Sequence, residues 1–199
     1  MLKVDQFKDV LSSEIISIPT IWKIQTLFEK AWGNGFDPNG AATFNRKIYD
    51  TKKKIGAMDL YYLLAFLKIK CLIIDVNNFH SDLSVRNKFS NFIYNYLNES
   101  DQSKPKFPLI FQSERHSKTI IGIEKSDNSE RRKLVVLEPA ITKYKMGSLL
   151  TRDILPYDFI NDLNKERFEK YQLLVVVGIA ELVDEYERGK TQLNIENMN

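Results

Sequence analysis

The run Tyr171-Gln172-Leu173-Leu174-Val175-Val176-Val177 is the most apolar stretch of the chain, and Ile69-Lys70-Cys71-Leu72-Ile73-Ile74-Asp75-Val76 resembles it closely. Both are short, rich in Val, Ile and Leu, and far too short to cross a bilayer, so they read as strands that a fold must bury. The segments that precede them carry apolar residues at helical spacing. In residues 4–11 these are Val4, Phe7, Val10 and Leu11, with Ser12-Ser13 ending the pattern. After Pro19 they are Ile21, Ile24, Leu27, Phe28 and Ala31, up to Gly33. Residues 51–68 predict a third helix from a Thr51 cap, burying Ile55, Met58, Leu60, Leu63, Leu64 and Leu67, and residues 89–97 predict a fourth. Short strands are predicted over 107–112, 118–124 and 133–138, the last two joined by a hairpin turn at Ser126-Asp127-Asn128-Ser129. Residues 98–105 read as a polar connection, and residues 158–170 as a surface helix leading into the apolar strand. Helices first and strands mostly later predict an α+β fold, with N-terminal helices packed on a mostly antiparallel sheet.

Composition narrows the function. A chain of 199 residues suits one well-buried domain, expected over residues 1–188, with a flexible tail over 189–199. The net charge is +3, and the basic residues are scattered apart from Lys52-Lys53-Lys54 and Arg131-Arg132-Lys133, which falls short of a nucleic-acid surface. The first residues hold no apolar signal core, so no membrane association is expected. One cysteine, Cys71, leaves no intramolecular disulfide or cysteine-based zinc site, which suits a reducing compartment, cytoplasmic or nuclear. Two distant histidines add no ligand cluster, so neither metal nor other cofactor is expected. The loop Trp32-Gly33-Asn34-Gly35-Phe36-Asp37-Pro38-Asn39-Gly40 lacks the spacing of a phosphate-binding loop. Its glycines require special backbone angles, and Trp32 and Phe36 predict that it is packed down. No coiled-coil pattern or large exposed apolar stripe points beyond a monomer.

The chemistry gathers around His116, placed where a strand emerges from a polar turn, and Glu138, which closes the next apolar run. A general base and the carboxylate that orients it are commonly presented in this way. Gln112 ends the preceding strand and offers an amide to a developing oxyanion. Each residue has a plain alternative: a structural histidine, a solvated carboxylate, a polar strand cap. His80, in the polar loop Asn77-Asn78-Phe79-His80-Ser81-Asp82, reads as solvated.

Taken in order, Ile18-Pro19, Trp32-Gly33, Gly35-Phe36-Asp37-Pro38-Asn39-Gly40-Ala41, Cys71-Leu72-Ile73-Ile74-Asp75, Ile110-Phe111-Gln112, His116-Ser117-Lys118-Thr119, Leu137-Glu138-Pro139 and Lys170-Tyr171-Gln172 resemble the papain-like UFSP/ZUFSP cysteine peptidases. The resemblance implies a papain-like fold and thiol hydrolysis of the isopeptide bond that joins ubiquitin or a ubiquitin-like modifier to a conjugate. It implies His116 as base and Glu138 as the orienting carboxylate in place of the usual Asp. Gln112 would help to hold the oxyanion. The deubiquitinase branch, whose larger members bear zinc fingers, is the nearer one, because Glu138-Pro139-Ala140 lacks the histidine of the Asp-Pro-His box in the modifier-protease branch. Family members carry the nucleophile in a Cys-Gly-aromatic-Arg-Asn-x-Gln-Met segment, and Met1-Leu2 matches its end, so the resemblance places the cysteine just before this chain. Cys71 matches an ordinary strand position. Two readings follow: a deubiquitinase-like peptidase domain, inactive in this chain for want of its nucleophile, or a non-catalytic pseudo-peptidase that binds ubiquitin or a ubiquitin-like modifier.

Overall fold

The structure, a computed structural model, describes residues 4–12, 14–15, 17–98, 106–114, 116–125, 132–139, 147 and 159–199. The elements run α1 (Val4–Ser12), α2 (Ile21–Gly33), α3 (Pro38–Thr43), α4 (Ala57–Phe66), β1 (Ile69–Val76), α5 (Leu83–Asn98), β2 (Leu109–Gln112), β3 (Ser117–Lys125), β4 (Arg132–Leu137), β5 (Ile160–Asp162), β6 (Tyr171–Ile179), α6 (Val183–Arg188) and β7 (Ile195–Met198). Among the described residues the strands form a sheet in the order β5-β4-β3-β2-β6-β1-β7. The pairs β2–β3, β2–β6, β3–β4 and β4–β5 are antiparallel. The expected α+β class is the one observed. The chain divides into two compact units, one mainly Met1–Ile73 with Val176–Ile195, the other Ile74–Gln102, Lys106–Val175 and Glu196–Asn199, where a single domain is expected from length alone.

In the first unit α2 starts at the Thr20 cap, whose hydroxyl accepts from the Lys23 amide at 3.2 Å. It buries Leu27, Phe28, Ala31 and Trp32. The glycine-rich loop behind it is ordered, as its aromatic residues predict: Phe36 is fully buried, edge-on to Phe66 and Tyr186, and Trp32 stacks on Phe44. Gly35 takes φ +88° and Asp37 φ 48°. Asp37 then caps α3, a short helix that the sequence pattern does not announce, by accepting from the Gly40 amide at 2.9 Å. Two side chains one turn apart on α2 hold the segment that follows. Gln25 donates to the Thr51 carbonyl at 2.9 Å and accepts from the Asp50 amide at 3.0 Å; Glu29 accepts from the amides of Ile48 and Tyr49 at 2.8 and 2.7 Å.

The helix expected over residues 51–68 is shorter, because Gly56 is extended and the Asp59 carboxylate accepts from its amide at 2.7 Å, which fixes the start of α4 at Ala57. Residues 51–56 lie outside it, and Ile55 and Met58 are exposed rather than buried.

In the second unit the core is aromatic. Phe79 meets Phe89 and Tyr171 edge-on, and Phe111 of β2 stacks on Tyr171 of β6 with centroids 4.6 Å apart. The expected strands over 118–124 and 133–138 are β3 and β4, while their turn at 126–129 and most of the connection at 98–105 lie outside the described residues. The helix expected over residues 158–170 is not formed. The described residues 159–170 hold β5, a 3-10 turn at Leu163–Lys165 and extended chain, with Phe159 and Leu163 buried. The helix expected from residue 89 begins at Leu83.

The expected tail instead carries secondary structure in each unit. In the first, the Ile73 amide donates to the Asn194 carbonyl at 2.9 Å; in the second, β7 lies beside β1 and the Asn77 amide donates to the Met198 carbonyl at 3.4 Å. These backbone pairings, invisible in local composition, order residues that composition alone marks as frayed.

A methyl group on Gly40 would lie 1.8 Å from Oδ2 of Asp37. Gly40→Ala is therefore expected to break the α3 cap and lower stability by about 1 kcal/mol or more, read as a shift in the urea midpoint.

Candidate active site

His116 and Glu138 meet because two antiparallel strands end at the same edge. Gln112 pairs with Ser117 across the β2–β3 hairpin, leaving residues 113–116 as its loop. Ser113 locks that loop: its amide donates to the His116 carbonyl at 2.8 Å and its hydroxyl to the same oxygen at 3.2 Å. On the neighbouring pair Thr119 faces Leu137, so β4 delivers Glu138 to the hairpin end, where Pro139 follows. Nε2 of His116 is hydrogen-bonded to Oε1 of Glu138, with the imidazole about half exposed and the carboxylate less so. With Nε2 engaged by a carboxylate, Nδ1 is the nitrogen that takes a proton from an incoming donor. The structure thus brings two of the three candidate residues together.

Gln112, opposite Ser117 beside His116, takes no part in the His116–Glu138 hydrogen bond. It sits opposite Gln172 in the β2–β6 register and lines a cleft with Asp75, Asn77, Ser113 and Gln172, to which neither His116 nor Glu138 contributes. Gln172 donates to Asp75 at 2.9 Å in the same cleft. His80 is exposed, as expected, although its Nδ1 lies 3.1 Å from the Glu166 carbonyl.

Glu138 borders a second cleft, lined also by Lys118, Asn161, Asp162 and Glu166. Its centre is Glu166, which accepts from Lys118 at 2.8 Å and Asn161 at 2.7 Å on one oxygen and from the Tyr171 hydroxyl at 2.6 Å on the other. Burial alone would push this carboxyl up, but the bonds from Lys118, Tyr171 and Asn161 outweigh it and hold the carboxyl below the ordinary 4.5. Burial and the bond to Glu166 push the Tyr171 phenol up, so it stays a donor. Neither Ser113 nor Glu166 is singled out by the sequence. A serine directly after a strand is a turn signal that points to the first; the second lies in a segment whose spacing suggests a solvated helix.

Cys71 is no part of this site. It is a β1 residue with only 4% of its surface exposed, and burial pushes its thiol up to about 12. A thiol so protonated is neither nucleophile nor metal ligand. Among the described residues no cluster of His, Cys, Asp and Glu is arranged to hold a metal ion.

The sequence model of peptidase family C78 matches residues 4–174. Zinc finger-containing ubiquitin peptidase 1 of Homo sapiens is 33% identical over 198 residues, which cover 94% of this chain and 34% of that protein. Ubiquitin carboxyl-terminal hydrolase mug105 of Schizosaccharomyces pombe is 29% identical over 116 residues, 58% of this chain and 45% of that one. The crystal structure of UfSP from C. elegans superposes with a TM-score of 0.50 over 87% of this chain and 28% of that one, at 15% identity, and so shows the same papain-like fold. The chain spans about a third of the length of the human relative that it matches.

In the native protein Cys71 is expected to resist alkylation by iodoacetamide at pH 8 and to react within minutes in denaturant. Equal rates in the two conditions would place the thiol at the surface.

Proposed function

The chain belongs to peptidase family C78, and from that premise we propose that it supplies the base-bearing part of a cysteine peptidase domain acting on ubiquitin or a ubiquitin-like modifier. The observation that carries this reading is the pairing of His116 Nε2 with Glu138 at the shared end of β3 and β4. In the proposed step Nδ1 of His116 takes the proton of a cysteine thiol other than Cys71, and the thiolate attacks the carbonyl carbon of the isopeptide bond. Glu138 holds the ring and stabilises the imidazolium that forms. The Gln112 amide donates to the oxyanion. His116 then returns its proton to the leaving amine, and water, deprotonated by the same imidazole, hydrolyses the thioester. Glu in place of the family's usual Asp adds one methylene, and the close His116–Glu138 contact supports its having been absorbed at this position.

A second reading has its own support. The one cysteine of these residues is buried and protonated, which favours a non-catalytic module that binds ubiquitin or a ubiquitin-like modifier without cleaving it.

The two separate experimentally. A modifier carrying a carboxy-terminal electrophile, offered to the protein expressed from its complete gene, is expected to form an adduct that mass spectrometry maps to a cysteine other than Cys71. His116→Ala is expected to slow adduct formation by about 10²- to 10⁴-fold. Adduct on Cys71, or an undiminished rate in His116→Ala, sinks the peptidase assignment. For the binding reading, isotope-labelled ubiquitin titrated with the chain is expected to show localised shift changes that survive His116→Ala; a spectrum unmoved at millimolar concentration removes ubiquitin as its partner.

A further inference from the structure

We propose that Glu166 is a positioning residue for the candidate base: by taking up the ammonium of Lys118, it reserves the Glu138 carboxylate for the imidazole of His116. This rests on reading His116 and Glu138 as base and orienting group.

Lys118 is the second residue of β3, two positions after His116 at the end of the hairpin loop. Thr119 faces Leu137 in the β3–β4 register, so the next step along the strands sets Lys118 across from Glu138. Lys118, Glu138 and Glu166 line one cleft. Two cationic or protonatable groups and two carboxylates thus admit two pairings. In the alternative one, Lys118 would bond Glu138, and the imidazole would lose the acceptor that fixes its Nε2–H.

The observed pairing sets Lys118 on Glu166 at 2.8 Å and His116 on Glu138. What favours it is the company of Glu166. Asn161 and Tyr171 also donate to that carboxylate, and its depressed proton affinity accords with a strong anion site. The Lys118–Glu166 pair is also the better shielded, at 21% and 13% side-chain exposure against 43% for His116. The other charged groups on the cleft are Asp162, Lys165 and Arg167. The Asp162 carboxylate already accepts from the amide and side chain of Asn164 at 3.0 and 3.1 Å. With Glu166 neutralised, Glu138 is the carboxylate that stands across the strands from Lys118.

The readout is the Nε2–H proton of His116, which a carboxylate acceptor moves downfield in the proton NMR spectrum of the cooled protein. In the wild type this resonance is expected and is lost in His116→Ala. Glu166→Gln, nearly isosteric and able to keep bonds to Asn161 and Tyr171, is expected to lose it or move it upfield. Adding Lys118→Met to Glu166→Gln is expected to bring it back, since the competitor is then gone; general disruption of the site would not be reversed that way. Should Glu166→Gln fail to give a folded amide spectrum, Glu166→Asp draws the charge back from Lys118 by one carbon–carbon bond and is expected to show the same change in smaller measure. A wild-type resonance retained in the folded Glu166 variant, or one that Lys118→Met does not restore, overturns the proposal. The resonance depends on neither thiol nor substrate, so it is unaffected by a loss of peptidase activity that has some other cause.

Discussion

Tyr171 faces two kinds of neighbour at once, and the geometry of the second unit depends on both. Its ring stacks on Phe111 in the aromatic core, which fixes β2 against β6, and its hydroxyl donates to Glu166, which fixes the chain after the 3-10 turn. The first contact is non-directional burial reinforced by ring geometry, worth about 1 kcal/mol beyond the area removed from water. The second is directional and charge-assisted. Because β2 ends in the hairpin that bears His116, ring packing in the interior decides where a half-exposed imidazole stands at the surface.

Little of the placement of His116 is owed to its own ion pair. A contact that is half open to solvent contributes at most about 1 kcal/mol and is too weak to hold a ring against a poorly defined backbone. The backbone is instead defined beforehand: the Ser113 amide and hydroxyl both grip the His116 carbonyl, and the β3–β4 register carries Glu138 to the same edge. The side chains meet on a frame set by main-chain bonds. In the role proposed for His116, that division would let the imidazole accept and release a proton without the fold responding.

Much of this is legible in the sequence, for physical reasons that differ by segment. β1 falls at Ile69–Val76, where the apolar run places it, since a short run rich in β-branched residues, interrupted only by Lys70 and Asp75, has few other uses. His116 and Glu138 are visible as polar residues at strand ends, and the resemblance gives them roles. The segment around Glu166 misleads because Phe159, Ile160 and Leu163 stand at helical spacing, whereas the partners that hold it extended are Lys118, 48 residues distant, and Tyr171 on the next strand. Residues 51–56 mislead because Thr51 reads as a cap and the lysines after it favour a helix; the decisive feature is the bond from the Gly56 amide to Asp59. Tertiary hydrogen bonds and a local cap, which leave no periodic trace, account for these two departures.

The grip of α2 on residues 48–51 bears on how this chain can vary. Non-glycine residues Asn45, Arg46 and Asp50 all take positive φ in and beside that segment, a conformation that side chains disfavour and that persists only under external restraint. Around Asp50 the restraint is supplied by Gln25 and Glu29 and is addressed to main-chain atoms of residues 48–51; the amides of Asn45 and Arg46 bond the carbonyls of Ala42 and Ala41. Substitution at the exposed Lys47 and Tyr49 therefore meets little resistance, whereas Ile48 is buried and is held by its packing; insertion or deletion of a single residue moves the amides of residues 48–50 off their acceptors. The length of such a stretch is thus more tightly constrained than the identity of its exposed residues.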